Sequence, residues 1–294
     1  MVTVKNLSYG YRKNKQVLHD LSFSLRPGMT LLVGENGSGK STLIKLLVSA
    51  LPAKQDVEVE VDGQTLRGVA LKQKMAYLPQ GFEIYPTMKV REILRFVAKA
   101  KGAKADMASD RIREIACSVH VESFLDQKFK ECSIGTQRRI GIATALIGNP
   151  EIIILDEPTA GVDPKERIHF YQLVKEAFAG KTVLLATHIL DDMDVLADDV
   201  IMISQGRMAY SGAYRDFRHS LDGHVYEIPT EALTQSESDY VKRSVLLGNY
   251  EGDEGRLYRV ANRETSPDAA DRFTSVKPTL EDIWLYYQEM GRNG

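Results

Sequence analysis

The sequence predicts an α/β protein with a mostly parallel β-sheet that helices cover on both faces. Two segments, EIIILDEP at 151–158 and KTVLLATH at 181–188, are short continuous apolar runs, which are typical of strands buried on both sides. Segments with helical periodicity alternate with these strands. The length of 294 residues, with 43% hydrophobic residues, allows a large core and indicates one main domain with an appendage.

Composition narrows the class of protein. A formal net charge of -2 argues against nucleic acid as the main partner. The two cysteines, Cys117 and Cys132, lack metal-ligand spacing and form no disulfide framework, which favours a reducing cytoplasm. The N-terminus lacks a secretory signal, and the apolar runs are far shorter than the roughly twenty residues of a membrane span. We therefore expect a cytoplasmic protein that reaches a membrane only through a partner.

The N-terminal segment predicts an antiparallel β subdomain. Val57, Val59 and Val61 alternate with acids, and Asp62-Gly63 supplies a hairpin turn after them. Within this segment, KSTLIKLLVSAL at 40–51 has a helical pattern. The other predicted strands are MVTVKNL, LSFSL and MTLLVG at 1–7, 21–25 and 29–34.

Helical periodicity then dominates from about 88 to 135, with apolar residues three and four apart in 90–104 and 108–121. This stretch predicts a small helical insert. A further helix at 136–148 closes at Gly148, Asn149 and Pro150, and the buried strands with their intervening helix follow it. The predicted main domain therefore spans 1–213.

Residues 214–294 predict a small α+β appendage, because they are polar and turn-rich. A hairpin is expected near 252–255. The final helix begins at Thr279, with Asp282 completing a capping box. Its apolar face comprises Leu280, Ile283, Trp284 and Tyr287.

The most specific motif is GENGSGKST at 34–42, which matches the phosphate-binding pattern G-x-x-x-x-G-K-[ST] between an apolar strand and an apolar helix. Its glycines allow the backbone amides to approach a phosphate, and Lys40 adds positive charge. The Ser41 hydroxyl suits Mg²⁺. The alternative is an ordinary glycine-rich turn. The predicted nucleotide-binding residues are Gly34, Glu35, Asn36, Gly37, Ser38, Gly39, Lys40, Ser41 and Thr42.

Acidic and polar side chains follow the buried strands, at the sheet edge where ligands of α/β proteins bind. Asp156 suits the hydration shell of Mg²⁺, and Glu157 suits a base that polarises the attacking water. His188 ends the next strand and can hydrogen-bond the γ-phosphate or that water. The alternative for Asp156 and Glu157 is a pair of solvated acids, and for His188 an ordinary polar residue at a strand end. Gln80, in a loop, is a further candidate, and its alternative is a solvated loop glutamine.

Together these motifs resemble the nucleotide-binding subunit of an ATP-binding cassette (ABC) transporter, over about residues 1–212. The resemblance implies that Tyr11 stacks on adenine, with Tyr9 as a competitor. It also implies that Gln80 contacts Mg²⁺ and senses the membrane partner. Asp163 matches the inter-subunit loop, and His188 matches the switch histidine. Catalysis is thereby assigned to Glu157, His188 and Gln80, and the metal to Ser41, Gln80 and Asp156.

The stretch CSIGT at 132–136 occupies the position of the family signature, usually L-S-G-G-Q. Ser133, Gly135 and Thr136 would contact the ATP of a second subunit, so the resemblance implies a head-to-tail dimer, expected to be a homodimer, with two shared ATPs. The family's first glycine and its glutamine are absent here. Relaxed signatures and a tail of this kind resemble subunits of ABC-2-type or antibiotic-export permeases. The expected location is the inner face of the membrane, beside an integral permease.

The loop GFEIYPTM at 81–88 predicts a docking surface for such a permease, because Phe82, Ile84, Tyr85 and Pro86 are apolar residues in an expected surface loop. The alternative is that these side chains fold under the helical insert. Two other functions compete with transport. One is a soluble cassette ATPase acting on ribosomes or DNA, and the other is a nucleotide switch without catalysis.

Overall fold

The computed structural model describes residues 1–12, 15–51, 59–66, 68–82, 85–102, 105–231, 233–252, 255–263 and 273–293. The strands are β1 (Val2–Arg12), β2 (Lys15–Leu25), β3 (Gly28–Val33), β4 (Val59–Val61), β5 (Gln64–Leu66), β6 (Met75–Leu78), β7 (Ile152–Asp156), β8 (Thr182–Ala186), β9 (Asp199–Ser204), β10 (Arg207–Ala213), β11 (Val225–Pro229), β12 (Val245–Gly252), β13 (Gly255–Ala261) and β14 (Thr274–Ser275). The helices are α1 (Lys40–Leu47), α2 (Gly68–Lys74), α3 (Val90–Ala100), α4 (Ala105–Ser118), α5 (Ile134–Leu146), α6 (Pro164–Ala177), α7 (Asp191–Leu196), α8 (Tyr214–Arg218), α9 (Gln235–Arg243) and α10 (Leu280–Asn293).

A six-stranded sheet in the order β10-β9-β3-β8-β7-β6 forms the centre of the molecule. Its pairs are parallel except for β10, which runs antiparallel to β9. Every residue of β7 and β8 is buried, as the continuous apolar runs predict. The carboxyl ends of β3, β7 and β8 therefore meet at one edge, and the predicted α/β class is confirmed.

The N-terminal strands form a separate antiparallel sheet in the order β2-β1-β4-β5. The predicted hairpin turn is confirmed: Val61 pairs with Gln64, and Asp62 and Gly63 both have positive φ, as a type I′ turn requires. Val57 lies outside the described residues. This sheet packs with α1 against one face of the central sheet, around Leu18, Leu43 and Ile201.

The helical insert packs against the opposite face. Helices α3 and α4 bury Ile93, Leu94, Ile112 and Ile115 in a cluster that also contains central-sheet residues such as Leu155. Helix α5 is closed by positive φ at Gly148 and Asn149, as predicted. The sequence reasoning missed two elements between the β4–β5 hairpin and the insert, helix α2 and edge strand β6.

The C-terminal residues form a third sheet in the order β12-β13-β11-β14. The predicted hairpin is confirmed by the pairing of Gly252 with Gly255, and the predicted capping box by the bond from Thr279 N to Asp282 Oδ2 at 2.7 Å. Tyr287 of α10 packs on Tyr210 and Phe217, with ring centroids 5.1 and 5.4 Å apart.

Helix α10 therefore lies on the central sheet rather than only on its own appendage. The apolar cluster on that face is continuous from β9 to Ile283 of α10. The boundary between 213 and 214 remains a prediction. Among the described residues, no helix has the length and apolar character needed to cross a membrane.

Candidate functional site

The phosphate-binding loop connects β3 to α1 and is built by close backbone contacts. Gly34 has φ of 156°, and a Cβ there would lie 2.3 Å from the carbonyl oxygen of Ile203. Gly39 has φ of 112°, and its Cβ would lie 2.6 Å from Leu18 Cδ2. Since real Cβ atoms essentially never come so close, the loop keeps this shape only with glycine at both positions.

Lys40 is buried under this loop. Its Nζ donates to the carbonyl oxygens of Gly34 at 2.7 Å and Glu35 at 3.0 Å. Burial lowers the pKa of Lys40, and the nearby acids Glu157 and Asp156 partly oppose that shift. The buried Ser38 hydroxyl has no hydrogen-bond partner among the described residues. A buried ammonium and an unpaired hydroxyl, in a loop with glycine at 34, 37 and 39, fit an anionic group such as a phosphate.

Asp156, the last residue of β7, is a buried carboxylate whose charge is only weakly stabilised by neighbouring protein groups. Among the described residues its hydrogen-bond partner is Tyr77 Oη, at 3.5 Å. Burial raises the pKa of Asp156, and the neighbouring charge of Glu157 raises it further. Such a carboxylate fits a cation.

The Ser41 hydroxyl, which is also expected at the metal site, suits a hard ion as well. Ser41 at the start of α1 is exposed, so its hydroxyl is accessible. No group of three or more His, Cys, Asp or Glu side chains in the described ranges could hold a metal ion by itself. That fits Mg²⁺, which is usually held by one or two carboxylates together with substrate phosphates.

Glu157 lies between two of the predicted catalytic side chains. Gln80 Nε2 donates to Glu157 Oε2 at 2.7 Å, and His188 Nδ1 lies 3.3 Å from Glu157 Oε1. The backbone of Glu157 has φ of 46°, a left-handed conformation that non-glycine residues seldom adopt. The chain thus turns directly after β7, and the structure brings Glu157, His188 and Gln80 together.

Tyr11 lies beside the phosphate-binding helix. Its hydroxyl is 3.1 Å from Thr42 Oγ1, and its ring is exposed. Tyr9 meets it edge-to-face at 5.2 Å, but Tyr9 is partly buried against the core. Of the two candidates for adenine stacking, Tyr11 has the ring face that solvent can reach.

The predicted signature residues begin α5. Ser133 is the N-cap, and its Oγ accepts from Thr136 N at 3.2 Å. In the described part of the chain, no hydrogen bond joins Ser133, Gly135 or Thr136 to the phosphate-binding loop of the same molecule. Asp163 likewise caps α6, accepting from Lys165 N at 2.9 Å. The structure therefore does not bring these four residues to the chain's own phosphate loop.

Sequence reasoning missed Arg138, which ties α5 to the catalytic loops. Its guanidinium donates to the carbonyl oxygens of Gln80 at 2.7 Å and Ala160 at 3.3 Å, and burial lowers its pKa. In the sequence, no pattern distinguishes Arg138 from Arg139 beside it. The structure shows which of the two faces the catalytic loops, because that depends on the rotation of the helix.

The predicted docking loop is only partly exposed. Phe82 is buried and packs edge-to-face on Phe129 at 5.8 Å, so the expectation that Phe82 is a surface residue is wrong. It fills the core under the helical insert. Tyr85 is exposed and pairs with the exposed ring of Phe96 at 5.4 Å. Pro86 is exposed, and Ile84 lies outside the described residues.

The fold and this site define a P-loop nucleotide hydrolase. The ABC transporter family profile matches residues 18–160. The linearmycin resistance ATP-binding protein LnrL of Bacillus subtilis is 34% identical over 227 residues, covering 76% of this chain and 72% of that protein. The Nod factor export ATP-binding protein I of Burkholderia orbicola is 30% identical, covering 80% of each.

A solved ATP-binding subunit of an ABC transporter has a TM-score of 0.65 and 28% identity, covering 75% of this chain and 92% of that one. Mouse cholesterol transporter ABCA5 is 30% identical, but the chain spans only 18% of its length. The chain belongs to the ABC transporter ATP-binding proteins. It binds ATP and is an ATPase whose hydrolysis is coupled to transport, as the sequence predicted.

Proposed function

We propose that this chain drives an exporter, and that two copies clamp two ATP molecules between them. The observation that carries the hydrolytic part of the proposal is the position of Glu157 at the carboxyl edge of the sheet, held between Gln80 and His188 near Lys40. The names of two relatives, which refer to linearmycin resistance and Nod factor export, favour export. The rival functions, a soluble cassette ATPase and a nucleotide switch, find no support among the relatives.

Each residue has a role that its surroundings support. The loop 34–42 binds the phosphates, and Tyr11 stacks on the adenine. Ser41, Asp156 and Gln80 would hold Mg²⁺, which when bound neutralises charge on the phosphate oxygens. Glu157 accepts a proton from the attacking water, and His188 holds Glu157 and the γ-phosphate in register.

The hydrogen bond between Gln80 and Glu157 belongs to the resting state of the site. The amide donor at 2.7 Å takes one of the two lone pairs of Glu157 Oε2 and makes that oxygen a weaker base toward water. Release of the Gln80 amide, whose side chain would then be free to hold Mg²⁺, would restore the basicity of this oxygen. Because Arg138 also holds the carbonyl of Gln80, the position of the signature helix and the state of the base are coupled.

The second copy supplies the lid. The exposed residue Ser133 and the amino end of α5 present a hydroxyl and backbone N–H groups, a combination that suits a phosphate. The first turn of α5 itself contains no acid. Glu166 Oε2 of α6, however, lies 3.0 Å from the position that a Cβ at Gly135 would take, and it would have to move away from the phosphate. Since these groups do not contact their own phosphate loop, the phosphate they bind belongs to the partner copy.

Substitution of the base tests this mechanism. Glu157→Gln should bind ATP but lose about 10²–10³ in turnover, and it should accumulate an ATP-bound dimer. Lys40→Ala should instead weaken ATP binding itself, because it removes the buried ammonium. Calorimetry measures ATP affinity, phosphate release measures turnover, and sedimentation measures dimerisation. Near-wild-type turnover of Glu157→Gln would refute the assignment of the base, and a monomeric Glu157→Gln protein at saturating MgATP would refute the shared site.

The membrane partner docks, in this proposal, on the aromatic pair Tyr85 and Phe96, at the inner face of the membrane. Both rings are exposed; Tyr85 lies five positions after Gln80 in the chain, and Phe96 lies in α3. An apolar cytoplasmic segment of a permease would bury them. Tyr85→Asp should abolish binding to the co-purifying permease without changing ATP affinity, as measured by pull-down and calorimetry. Retention of both binding and ATPase stimulation would exclude this surface.

A further inference from the structure

A buried hydrogen-bonded network lies beneath His188. Asp192, in α7, is almost fully buried, and its Oδ2 accepts from Thr187 Oγ1 at 2.6 Å and Tyr171 Oη at 2.5 Å. The Thr187 hydroxyl in turn accepts from Ile189 N at 3.0 Å. The residue before His188 and the residue after it are therefore both held, through one hydroxyl, by one carboxylate.

The same carboxylate connects to the loop that follows Glu157. Since Tyr171 donates to Asp192, its oxygen accepts from Thr159 Oγ1, at 2.9 Å. Thr159 lies two positions after Glu157 in the chain. Arg167 Nε lies 3.6 Å from Asp192 Oδ1 and supplies a positive charge. The network thus spans the two loops whose side chains meet at the Glu157–His188 contact.

His188 itself has little to hold its ring. Half of its side chain is exposed, and its one ion-pair contact among the described residues is Glu157 Oε1 at 3.3 Å. Its position relative to Glu157 therefore depends on the backbone of 187–189. A misplacement of about 1 Å at a catalytic contact can cost about 10²-fold in rate.

We propose that Asp192 is a positioning residue for His188, acting through Thr187 and Tyr171. The inference rests on the proposed role of His188 in hydrolysis. A carboxylate buried this deeply is costly unless it is well hydrogen-bonded. Here the two hydroxyl donors satisfy it, and they come from the strand end that carries His188 and from helix α6, which follows the Glu157 loop.

The test removes one hydroxyl without changing side-chain volume much. Thr187→Val should lower kcat about tenfold while the KM for ATP stays within about twofold, because ground-state binding does not use this contact. Thr187→Ser keeps the hydroxyl and should recover most of the lost rate. Thr30→Val is the matched control, because Thr30 is a buried central-sheet residue whose hydroxyl has no partner among the described residues. Its kcat should equal that of the wild type.

A double-mutant cycle separates positioning from general support of the fold. In a His188→Ala background, measured by single turnover of radiolabelled ATP, Thr187→Val should cause no further loss of rate. A further tenfold loss there would overturn the inference, and so would an unchanged kcat of Thr187→Val in the wild-type background. Tyr171→Phe, which keeps the packed ring, serves as the second variant if Thr187→Val does not fold. Wild-type turnover of His188→Ala alone would instead refute the proposed role of His188.

Discussion

At the scale of single residues, the ionised carboxylate of Asp156 is electrostatically unfavourable in the nucleotide-free site. Its carboxylate is buried, has one long hydrogen bond among the described residues, to Tyr77, and lies next to a second acid, Glu157. Burial and that neighbouring charge raise its pKa, so the ionised form destabilises the nucleotide-free protein. A bound cation would reverse the sign of this effect. The residue is thus suited to binding at the expense of stability.

Asp156→Asn should therefore stabilise the nucleotide-free protein at pH 7. Because the pKa in the folded state lies above the ordinary value, the cost is complete at pH values above the folded pKa and disappears below the ordinary one. The gain in Tm, on the order of a few degrees, should shrink as pH falls through that window. Scanning calorimetry at several pH values measures it.

The control is Asp110→Asn on the exposed surface of α4, which should leave Tm at pH 7 unchanged. With MgATP the order should invert, since the wild type gains ligand stabilisation that Asp156→Asn lacks. A lower Tm of nucleotide-free Asp156→Asn at pH 7 would contradict the account.

At the scale of elements, sequence reasoning succeeded where the signal is local. The apolar runs of β7 and β8, the glycines of the phosphate loop and the Thr279–Asp282 capping box each lie within a few residues, and all are present. The meeting of Glu157 with His188 also follows, because neighbouring parallel strands end at one edge.

The features that sequence reasoning missed depend on tertiary contacts. Asp191, Asp192 and Asp194 look alike in the chain, and only the packing of α6 against α7 makes Asp192 the buried one. Phe82 was misplaced for the same reason, because its partner Phe129 is distant in sequence. Arg138 is recognised only when the loops it bridges are in place.

The amino end of α5 provides an element-scale prediction. Ser133→Ala removes the N-cap and should cost about 1 kcal/mol of unfolding free energy. In a Glu157→Gln background it should also weaken the MgATP-dependent dimer about tenfold or more, because a hydrogen bond to a phosphate is lost. Denaturant titration and sedimentation measure the two effects.

Thr234→Ala is the matched control, because Thr234 caps α9 in the C-terminal appendage and accepts from Glu237 N at 3.3 Å. It should cost similar stability and leave the dimer intact. Equal dimerisation of the two variants would show that α5 is an ordinary packing helix.

At the scale of the whole molecule, the C-terminal helix joins the appendage to the nucleotide site. The buried Ser204 Oγ donates to Gln288 O at 3.1 Å, and the turn after β9 bonds the phosphate loop from Gly206 N to Ser38 O at 2.9 Å. At the end of α10, Arg292 lies 3.4 Å from Glu35 of that loop. The exposed pair contributes little by itself, but the packing is continuous.

This continuity predicts one cooperative unfolding unit. A Cβ at Gly291 would lie 2.8 Å from Ser204 Cβ and 3.1 Å from Ala209 Cβ, so Gly291→Val should push α10 off the central sheet at a cost of about 1–3 kcal/mol. Scanning calorimetry should show a single transition that moves down by several degrees. Gly248→Val in β12 is the control, because a Cβ at Gly248 meets nothing within 4 Å. Two transitions, of which Gly291→Val shifts only one, would instead show that residues 214–294 unfold independently of the ATPase core.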